Sequence, residues 1–381
     1  MKILIDLRVL ARPQFSGITE YTKFLVNHLL SADPKNEYLL FYNGYRKAPL
    51  PEEWLNNPQV KIINSSIPNR LWSFGNKILN LPKIDKKIEA DIYFSPHFNI
   101  LSLANPQKRI FTFHDLSFIH YPDFFSNRDK FWHWLQDYRR QAKTAGHFIA
   151  VSDFTRQDLI DNLSVSPERI TRIYSGVNPF YRKLSSENKD LKEFQKTRRL
   201  EKPFLFYLGV IEPRKNIPAV IRAFNILKTE KDFKNLQLII AGPKGWLYGK
   251  VFQEAENSKF REEIIFWGAA TPSEVLFLYN SAEVFVYPSF FEGFGFPPLE
   301  AQACGLPVVT SNRSSLPEVV GDSALMVDPW RIDDLALTLK NLLTDQNLRK
   351  RLQEAGFKNL QRFNWAETAQ QTIRVFSKLT L

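Results

Sequence analysis

The sequence predicts two α/β domains, each built on a largely parallel β-sheet. Short apolar segments typical of buried strands alternate along the chain with longer helical stretches, and this alternation favours parallel sheets. The chain has 381 residues, which is long for a single domain. A charged segment poor in apolar residues, Tyr181–Lys202, separates two such halves. We therefore predict one domain over residues 1–180, a linker over 181–202 and a second domain over 203–364.

The predicted strands are short and rich in β-branched and aromatic residues. In the first half they are Lys2–Leu7, Tyr38–Tyr42, Val60–Asn64, Ile92–Ser95, Arg109–Phe113 and Phe148–Val151. In the second half they are Phe204–Leu208, Leu236–Ala241, Ile264–Phe266, Val284–Tyr287 and Val308–Thr310. A final helix is predicted within residues 365–381, with Ala369, Ile373 and Phe376 as its apolar residues. The sequence leaves open whether this helix packs back on the first domain.

The composition indicates a folded protein with a basic surface. Hydrophobic residues make up 44% of the chain and charged residues 24%, which is ordinary for globular proteins. The single cysteine, Cys304, excludes an intrachain disulfide and suits a reducing compartment. No apolar run approaches the ~18 residues of a spanning helix, so we expect a cytoplasmic protein. The net charge of +11 favours an anionic partner, without choosing between nucleic acid, a membrane surface and a phosphorylated substrate.

The stretch YPSFFEGFGFPPLEAQACGLPVVT, residues 287–310, predicts a strand, a glycine-rich loop and a helix. Pro297 and Pro298 stand where a helix tolerates proline, at its start. Gly293 and Gly295 then lie in the turn between strand and helix. Backbone amides and the helix N-terminus can hold an anion at such a turn.

Two carboxylates accompany this turn, Glu292 in the loop and Glu300 in the first turn of the predicted helix. A carboxylate accepts hydrogen bonds from two neighbouring hydroxyls, so the pair could hold two parts of a sugar-containing ligand. The alternative is that Glu300 merely favours the helix dipole and Glu292 is a solvated loop residue. The residues alone leave both interpretations open.

A basic pair, Arg214 and Lys215, follows the strand that ends near Gly209 and precedes a helix predicted over Ala219–Leu227. Fixed positive charge beside helix amides suits a diphosphate. We expect Lys215 to be a solvated cation at this helix start. The alternative is an ordinary basic turn.

Two further candidates lie in the first half. His114 and Asp115 follow the strand Arg109–Phe113 at the edge where parallel sheets carry functional groups. A histidine there is also common as a purely structural, hydrogen-bonded residue. Gly17 precedes a predicted helix over Glu20–Leu30, and its small size allows close approach of a ligand to the backbone.

The run Glu292-Gly-Phe-Gly-Phe-Pro-Pro-Leu-Glu300 resembles the EX7E motif of retaining glycosyltransferase family 4. Pro288-Ser289 precedes it, and the sequences EAQACGLPVV and Leu316-Pro317-Glu318 continue the resemblance. The family implies the GT-B architecture, in which two doubly wound, Rossmann-like domains face each other across a cleft. It also implies that the second domain binds a nucleotide sugar, that the first mainly binds the acceptor, and that the anomeric configuration is retained.

The resemblance also implies roles for individual residues. Glu292 would contact the transferred sugar, Glu300 the ribose, and Arg214 and Lys215 the departing diphosphate. The catalytic candidates are Glu292, His114 and Asp115. The donor-binding candidates are Gly17, Arg214, Lys215, Gly242, Gly268, Phe294, Gly295, Phe296 and Glu300. Two departures stand out: Val210 replaces an arginine of some relatives, and Gly17 stands alone where the family often has two glycines.

The segment AGPKGW, residues 241–246, resembles a signature of bacterial mannosyltransferase-like members and favours GDP-mannose among nucleotide-diphosphate sugars. The family places the nucleotide base near Gly242 and Gly268. No Asp-x-Asp occurs, so no metal or other cofactor is expected. The predicted function is transfer of a hexose, preferably mannose, to a glycan or lipid-linked acceptor in cell-surface polysaccharide synthesis.

The sequence leaves two alternative functions open. A sugar-nucleotide epimerase would share the fold, and a basic nucleic-acid-binding protein would explain the charge, although no arginine-rich or aromatic-interleaved strip supports specific nucleic-acid binding.

A helix predicted over Phe131–Ala142 carries a flank of Trp132, Arg139 and Lys143. This flank is a candidate for peripheral contact with an anionic membrane at its inner face.

Overall fold

The computed structural model describes residues 1–11, 16–43 and 50–380. The chain forms two compact units. The first contains Met1–His120, Asn127–Gly176 and Phe363–Leu381, and the second contains Tyr121–Ser126 and Val177–Arg362. Among the residues described, no helix is both long and apolar enough to cross a membrane.

The first unit is built on a seven-stranded sheet in the order β3-β2-β1-β4-β5-β6-β7, with every neighbouring pair parallel. Its strands are β1 Lys2–Asp6, β2 Glu37–Asn43, β3 Val60–Ser65, β4 Ile92–Ser95, β5 Arg109–Phe113, β6 His147–Ala150 and β7 Ile170–Arg172. Its helices are α1 Gly17–Ala32, α2 Glu52–Leu55, α3 Asn69–Phe74, α4 Ser117–His120, α5 Asn127–Gln136, α6 Tyr138–Thr144, α7 Asp153–Leu163 and α16 Trp365–Thr380.

The second unit has a six-stranded parallel sheet in the order β10-β9-β8-β11-β12-β13. Its strands are β8 Phe204–Leu208, β9 Gln237–Ala241, β10 Ile264–Gly268, β11 Val284–Tyr287, β12 Val308–Ser311 and β13 Leu325–Val327. Its helices are α8 Lys189–Thr197, α9 Ile217–Lys228, α10 Gly249–Glu256, α11 Pro272–Ser281, α12 Phe296–Ala303, α13 Leu316–Val320, α14 Ile332–Thr344 and α15 Gln346–Leu360.

Both sheets have central strands that are buried throughout. In β5 and β11 every residue is buried, as expected where helices cover both faces of a parallel sheet. Each sheet also reverses its strand order once, between β1 and β4 in the first unit and between β8 and β11 in the second. Such a reversal opens a crevice at the carboxyl ends of the strands, which is where open α/β sheets bind ligands. The prediction of two doubly wound parallel-sheet domains is confirmed.

The structure differs from the predicted elements in three places. Strands β7 and β13 were not predicted, because each has three residues with a single buried side chain, Ile170 and Val327. The helix predicted over Phe131–Ala142 is instead two helices, α5 and α6, separated at Asp137 by a left-handed backbone with φ of 49°.

The segment predicted as a linker, 181–202, lies within the Val177–Arg362 part of the second unit. Hydrogen bonds and an ion pair join this segment to α11. The Leu184 amide donates to Asn280 Oδ1 at 2.8 Å, and the Gln195 amide group lies 3.0 Å from Ser281 Oγ. Arg198 pairs with Glu274 at 2.7 Å. A charged segment can therefore be an integral surface layer of a domain.

The C-terminal helix α16 packs on α1 of the first unit. The Trp365 ring stacks on Phe24 with a centroid separation of 5.4 Å, and Thr368 Oγ1 donates to the Tyr174 carbonyl at 2.7 Å. Phe376 is fully buried and lies 5.2 Å from Phe94 of β4. The first unit is therefore completed by the last helix of the chain.

We expect Trp365→Ala to destabilise the first unit by roughly 3–5 kcal/mol, the usual cost of deleting a buried aromatic side chain. Trp365 is 4% exposed and anchors the start of α16. The matched control is Arg374→Ala on the same helix, because the pair of Arg374 with Glu367 is solvent-exposed and should contribute little. Thermal unfolding of both variants measures the effect. Equal melting temperatures would show that α16 does not stabilise the unit.

Candidate active site

The candidate site of the second unit lies at the reversal between β8 and β11. Arg214 and Lys215 occupy a single 3-10 turn, Pro213–Lys215, in the loop that follows β8. Glu292 lies in the loop that follows β11. Because β8 and β11 are neighbours in the sheet, loops that are far apart in sequence meet at its carboxyl edge.

These residues form one buried ion cluster, which we call the Glu292 cluster: Glu212, Arg214, Lys215, Tyr287 and Glu292. Lys215 Nζ donates to Glu292 Oε1 at 2.7 Å and to the Tyr287 hydroxyl at 2.6 Å. Arg214 Nη1 donates to Glu292 Oε2 at 2.8 Å, and Arg214 Nη2 donates to Glu212 Oε1 at 2.8 Å. Each oxygen of Glu292 therefore accepts from a different cation.

Burial affects the pKa values of the charged groups in the Glu292 cluster. Lys215 is 8% exposed and Glu292 is 6% exposed, so the expectation that Lys215 is a solvated cation is wrong. Burial alone would raise the pKa of Glu292, but the nearby Arg214 and Lys215 outweigh it and lower that pKa to about 2. Burial, reinforced by the neighbouring Arg214, lowers the pKa of Lys215. Glu292 is consequently a firmly ionised and weakly basic carboxylate.

Surrounding hydrogen bonds hold the backbone of the Glu292 loop in place. Ser315 Oγ donates to the carbonyls of Glu292 and Phe294, at 2.8 and 3.1 Å. The Glu292 amide donates to Ser314 Oγ at 2.8 Å. On the other side, Asn216 Nδ2 donates to the Pro329 carbonyl at 2.8 Å and to the Pro288 carbonyl at 3.2 Å. The carboxylate is therefore preorganised by its backbone as well as by its ion pairs.

Gly295 makes the sharp turn from the loop into α12. Its φ is 106°, and an added Cβ would lie 2.9 Å from Leu316 Cδ2, so only glycine suits this position. The flanking Phe294 and Phe296 pack edge to face at 5.2 Å. The proline pair opens α12 as predicted.

Glu300 is the fifth residue of α12, just beyond the first turn in which it was expected, because the helix begins at Phe296. Its carboxylate is held by Tyr279, whose hydroxyl lies 3.1 Å from Glu300 Oε2 and 3.2 Å from the Pro297 carbonyl. Burial, together with Glu300, raises the pKa of Tyr279 well above its usual value, so the phenol remains a donor. Glu292 and Glu300 thus have separate supports, two cations for one and a phenol for the other.

Gly242 and Gly268 lie together at the same edge of the sheet, at the ends of β9 and β10. The Gly242 amide donates to the Gly268 carbonyl at 2.7 Å. At Gly242, where φ is 139°, a Cβ would lie 1.9 Å from the Gly209 carbonyl oxygen. This glycine is therefore needed for close packing of the β8 and β9 loops. At Gly268, where φ is 81°, an added Cβ would point into open space.

The remaining candidates belong to the first unit. Gly17 is the first residue of α1, directly after Ser16, whose hydroxyl caps that helix. Asp115 Oδ1 accepts hydrogen bonds from the amide and hydroxyl of Ser117, at 3.0 and 2.6 Å, and so holds the start of α4. The structure thus gives Asp115 a structural contact.

His114 follows β5 and lies in an aromatic cluster. Its Nε2 is 2.8 Å from the Pro96 carbonyl, so Nε2 carries a proton, because a carbonyl can only accept. Its ring meets Tyr21 edge to face at 4.8 Å and lies 5.8 Å from His97. Burial lowers the pKa of His114, which is therefore neutral and presents Nδ1 as an acceptor.

Sequence reasoning missed the residues that support the predicted ones. Tyr287 and Tyr279 bond to Lys215 and Glu300, while Glu212 and Ser315 fix Arg214 and the Glu292 loop. Tyr287 and Tyr279 carry no local signal, since both look like core residues of a strand and a helix. Glu212, two residues before Arg214, was the detectable one, because an acidic residue beside a basic pair is an obvious partner.

Two family models match the chain. The model described as Glycosyl transferases group 1 matches residues 188–359, and the model described as Glycosyltransferase Family 4 matches residues 15–179. The O-antigen chain mannosyltransferase B of Escherichia coli is 32% identical over 76% of this chain and 74% of its own. The serotype-specific mannosyltransferase WbdA of Escherichia coli is 30% identical, but only 29% of its length is covered.

Solved structures share the fold. The glycosyltransferase WaaG, involved in lipopolysaccharide biosynthesis, superposes with a TM-score of 0.75 at 16% identity, over 98% of this chain and 99% of its own. Alr3699/HepE of Anabaena, in complex with UDP and glucose, gives a TM-score of 0.74 at 18% identity over 99% of each chain.

We expect the stabilising effect of ionised Glu292 to disappear at low pH. Its folded pKa of about 2 lies below the ordinary value of 4.5, so the contribution is present above pH 4.5 and is lost as pH falls towards 2. The difference of 2.5 pKa units, from 4.5 to 2, corresponds to roughly 3 kcal/mol.

The measurement is urea unfolding of wild type and Glu292→Gln across this pH range. The gap in free energy of unfolding should shrink as pH falls. Glu187→Gln is the control in the same unit, because Glu187 pairs with Lys192 in solvent and its gap should stay small throughout. A Glu292→Gln gap that does not change with pH would contradict the ion-pair account.

Proposed function

This chain belongs to the group 1 glycosyltransferases, and from that premise we propose that it transfers mannose from GDP-mannose to a glycan or lipid-linked acceptor, with retention at the anomeric carbon. It is a hexosyltransferase of polysaccharide synthesis. The observation that supports transfer from a nucleotide-diphosphate sugar is the Glu292 cluster at the reversal between β8 and β11. There, two fixed cations and a preorganised carboxylate meet where such sheets bind ligands.

The two cations are assigned to the diphosphate of the donor. Arg214 and Lys215 are held in place by Glu292, so they need little reorganisation to contact phosphate oxygens. Preorganised positive charge is most effective where negative charge develops, here on the departing nucleoside diphosphate. With this charge supplied by side chains, we propose that transfer requires no metal.

Glu292 is assigned to the hydroxyls of the transferred sugar rather than to covalent catalysis. A carboxylate with a pKa of about 2, bound by two cations, is a weak nucleophile. In the proposed step the bond from the anomeric carbon to the diphosphate oxygen breaks, and the acceptor oxygen bonds to that carbon on the same face. The acceptor proton passes to an oxygen of the leaving phosphate, so no protein base is needed.

Glu300 and His114 are assigned to orientation. Glu300, fixed by Tyr279, would accept hydrogen bonds from the two ribose hydroxyls. Neutral His114 would accept a hydrogen bond from a sugar hydroxyl at Nδ1, since Nε2 already donates to Pro96. Asp115 remains a weaker candidate because its carboxylate holds Ser117.

Mannose is preferred on two grounds. The relatives that cover most of this chain are named O-antigen chain mannosyltransferases, and the segment Ala241–Trp246 matches the signature of mannosyltransferase-like members. We also propose that the enzyme acts in the cytoplasm, at the inner face of a membrane that carries its lipid-linked acceptor.

We expect transfer of radiolabelled mannose from GDP-mannose to an acceptor, at an unchanged rate in EDTA. The assay compares GDP-mannose with UDP-glucose and includes a reaction without acceptor. Transfer that is abolished by EDTA and restored by Mg²⁺ would contradict the proposed role of Arg214 and Lys215. Isomerised nucleotide sugar formed without any acceptor would indicate an epimerase instead.

We expect Glu292 and Glu300 to act on different parts of the donor. Glu300→Gln should weaken both GDP and GDP-mannose, because the ribose is common to the two ligands. Glu292→Gln should reduce transfer of mannose without weakening GDP, because Glu292 contacts the sugar and its neutralisation leaves more of the positive charge of Arg214 and Lys215 for the diphosphate. A lost charge-assisted hydrogen bond costs about 1.5–3 kcal/mol, or roughly 10- to 150-fold in affinity. Calorimetry with both ligands on both variants decides the matter, and equal losses of GDP affinity would contradict this division.

A further inference from the structure

The first unit exposes a group of large apolar side chains, which we call the apolar patch: Leu71, Phe74, Ile78, Leu79, Phe131 and Trp134. Each is between 49% and 66% exposed. The first four lie on α3 and on the single π-helical turn, Gly75–Leu79, that continues it, and the last two lie on α5. Single exposed apolar residues are ordinary, but a contiguous group of this size marks an interaction surface.

Direct contacts join the two parts of the apolar patch. Lys77 Nζ of the π-helical turn lies 5.1 Å from the Trp134 ring centroid. Lys77 also pairs with Asp137 at 2.7 Å, directly after α5. Phe131 and Trp134 stack with their centroids 5.6 Å apart. These contacts place the π-helical turn, which carries Ile78 and Leu79, directly beside Trp134 of α5.

A buried framework holds this surface in place. Trp72 of α3 is 2% exposed and packs on Phe41 of β2 at 5.6 Å. Asn76 is fully buried, and its side chain accepts from the Ser102 amide at 2.6 Å and donates to the carbonyls of Trp72 and Leu81, at 2.8 and 3.1 Å. The apolar side chains are thus presented by a rigid base, because the residues between them are the ones that pack inward.

The charge around the apolar patch is positive. Residues 68–83 contain Arg70, Lys77 and Lys83 and no acidic residue. Beside them, residues 127–144 contain five basic and two acidic residues. One of those acids, Asp137, is already neutralised by Lys77 and Arg140, at 2.7 and 2.9 Å.

An apolar surface rimmed by cations fits an anionic lipid bilayer. Aromatic and aliphatic side chains enter the boundary between headgroups and acyl chains, while lysine and arginine meet the lipid phosphates. A second copy of this chain fits less well, because pairing two such surfaces would bring like charges together.

We propose that the apolar patch docks the enzyme on an anionic membrane surface. The inference rests on the proposed function only for the cytoplasmic location of that membrane. It differs from the membrane contact predicted for Trp132, Arg139 and Lys143, which stays a prediction. Trp132 is partly buried, and its ring stacks on the buried His97 at 5.7 Å with an interplanar angle of 8°.

The test is flotation with vesicles of phosphatidylcholine alone or mixed with phosphatidylglycerol. Wild type should float with the anionic vesicles, less so at high salt. The double variant Ile78→Ser/Leu79→Ser should bind them at least about tenfold more weakly, because two exposed aliphatic side chains no longer enter the lipid. The matched control is Leu337→Ser on α14, where Leu337 is 57% exposed, and it should bind as wild type does.

Three results would overturn the proposal. The first is that the wild type does not bind anionic vesicles. The second is that the double variant binds them as tightly as the wild type. The third is that the wild type sediments as a dimer and the double variant as a monomer, while neither binds vesicles. Mannose transfer to a water-soluble acceptor is measured on the same preparations. Loss of transfer with intact vesicle binding would count against the proposed function alone, so the two failures are distinguishable.

Discussion

The buried carboxylate of Glu292, held between two cations, is the constraint on which the candidate site of the second unit depends. Removing any one member would leave an unpaired charge in the protein interior, which is far more costly than losing an exposed pair. The cluster contains two carboxylates and two cations, so its formal charge is balanced. The net charge of +11 therefore has to be carried outside this cluster, and the surface around the apolar patch carries part of it.

This balance also affects how an anion can bind. Arg214 and Lys215 already have partners, so a diphosphate must share these cations with Glu292 rather than fill an open positive pocket. Because Glu292 accepts from both cations, their side chains are held in place, but they attract a distant anion more weakly. We expect such a site to favour accurate placement of the leaving group over tight binding of the free diphosphate, which suits an enzyme that must release its nucleotide product.

Much of the fold could be predicted from the sequence, because its strands are short apolar runs that are buried on both faces. Strands β7 and β13 could not, since a single buried residue in each leaves no detectable pattern. In the candidate site, the residues that the sequence singled out do follow the ends of strands, as predicted. The sequence could not show that Lys215 and Glu292, 77 positions apart, bond to each other, because that contact depends on β8 and β11 being neighbours. Because this contact is not visible in the sequence, Lys215 was predicted to be a solvated cation.

The packing of α16 on α1 has a consequence for how the protein is made. The first unit is discontinuous: the chain leaves it at Gly176 and returns only at Phe363. At the usual pace of translation, that interval lasts on the order of ten seconds or more. During it, the apolar side of α1 around Phe24 lacks the Trp365 ring that covers it in the finished structure. The second unit can complete its sheet before α16 is made, so the first unit, although most of it is synthesised earlier, is completed last.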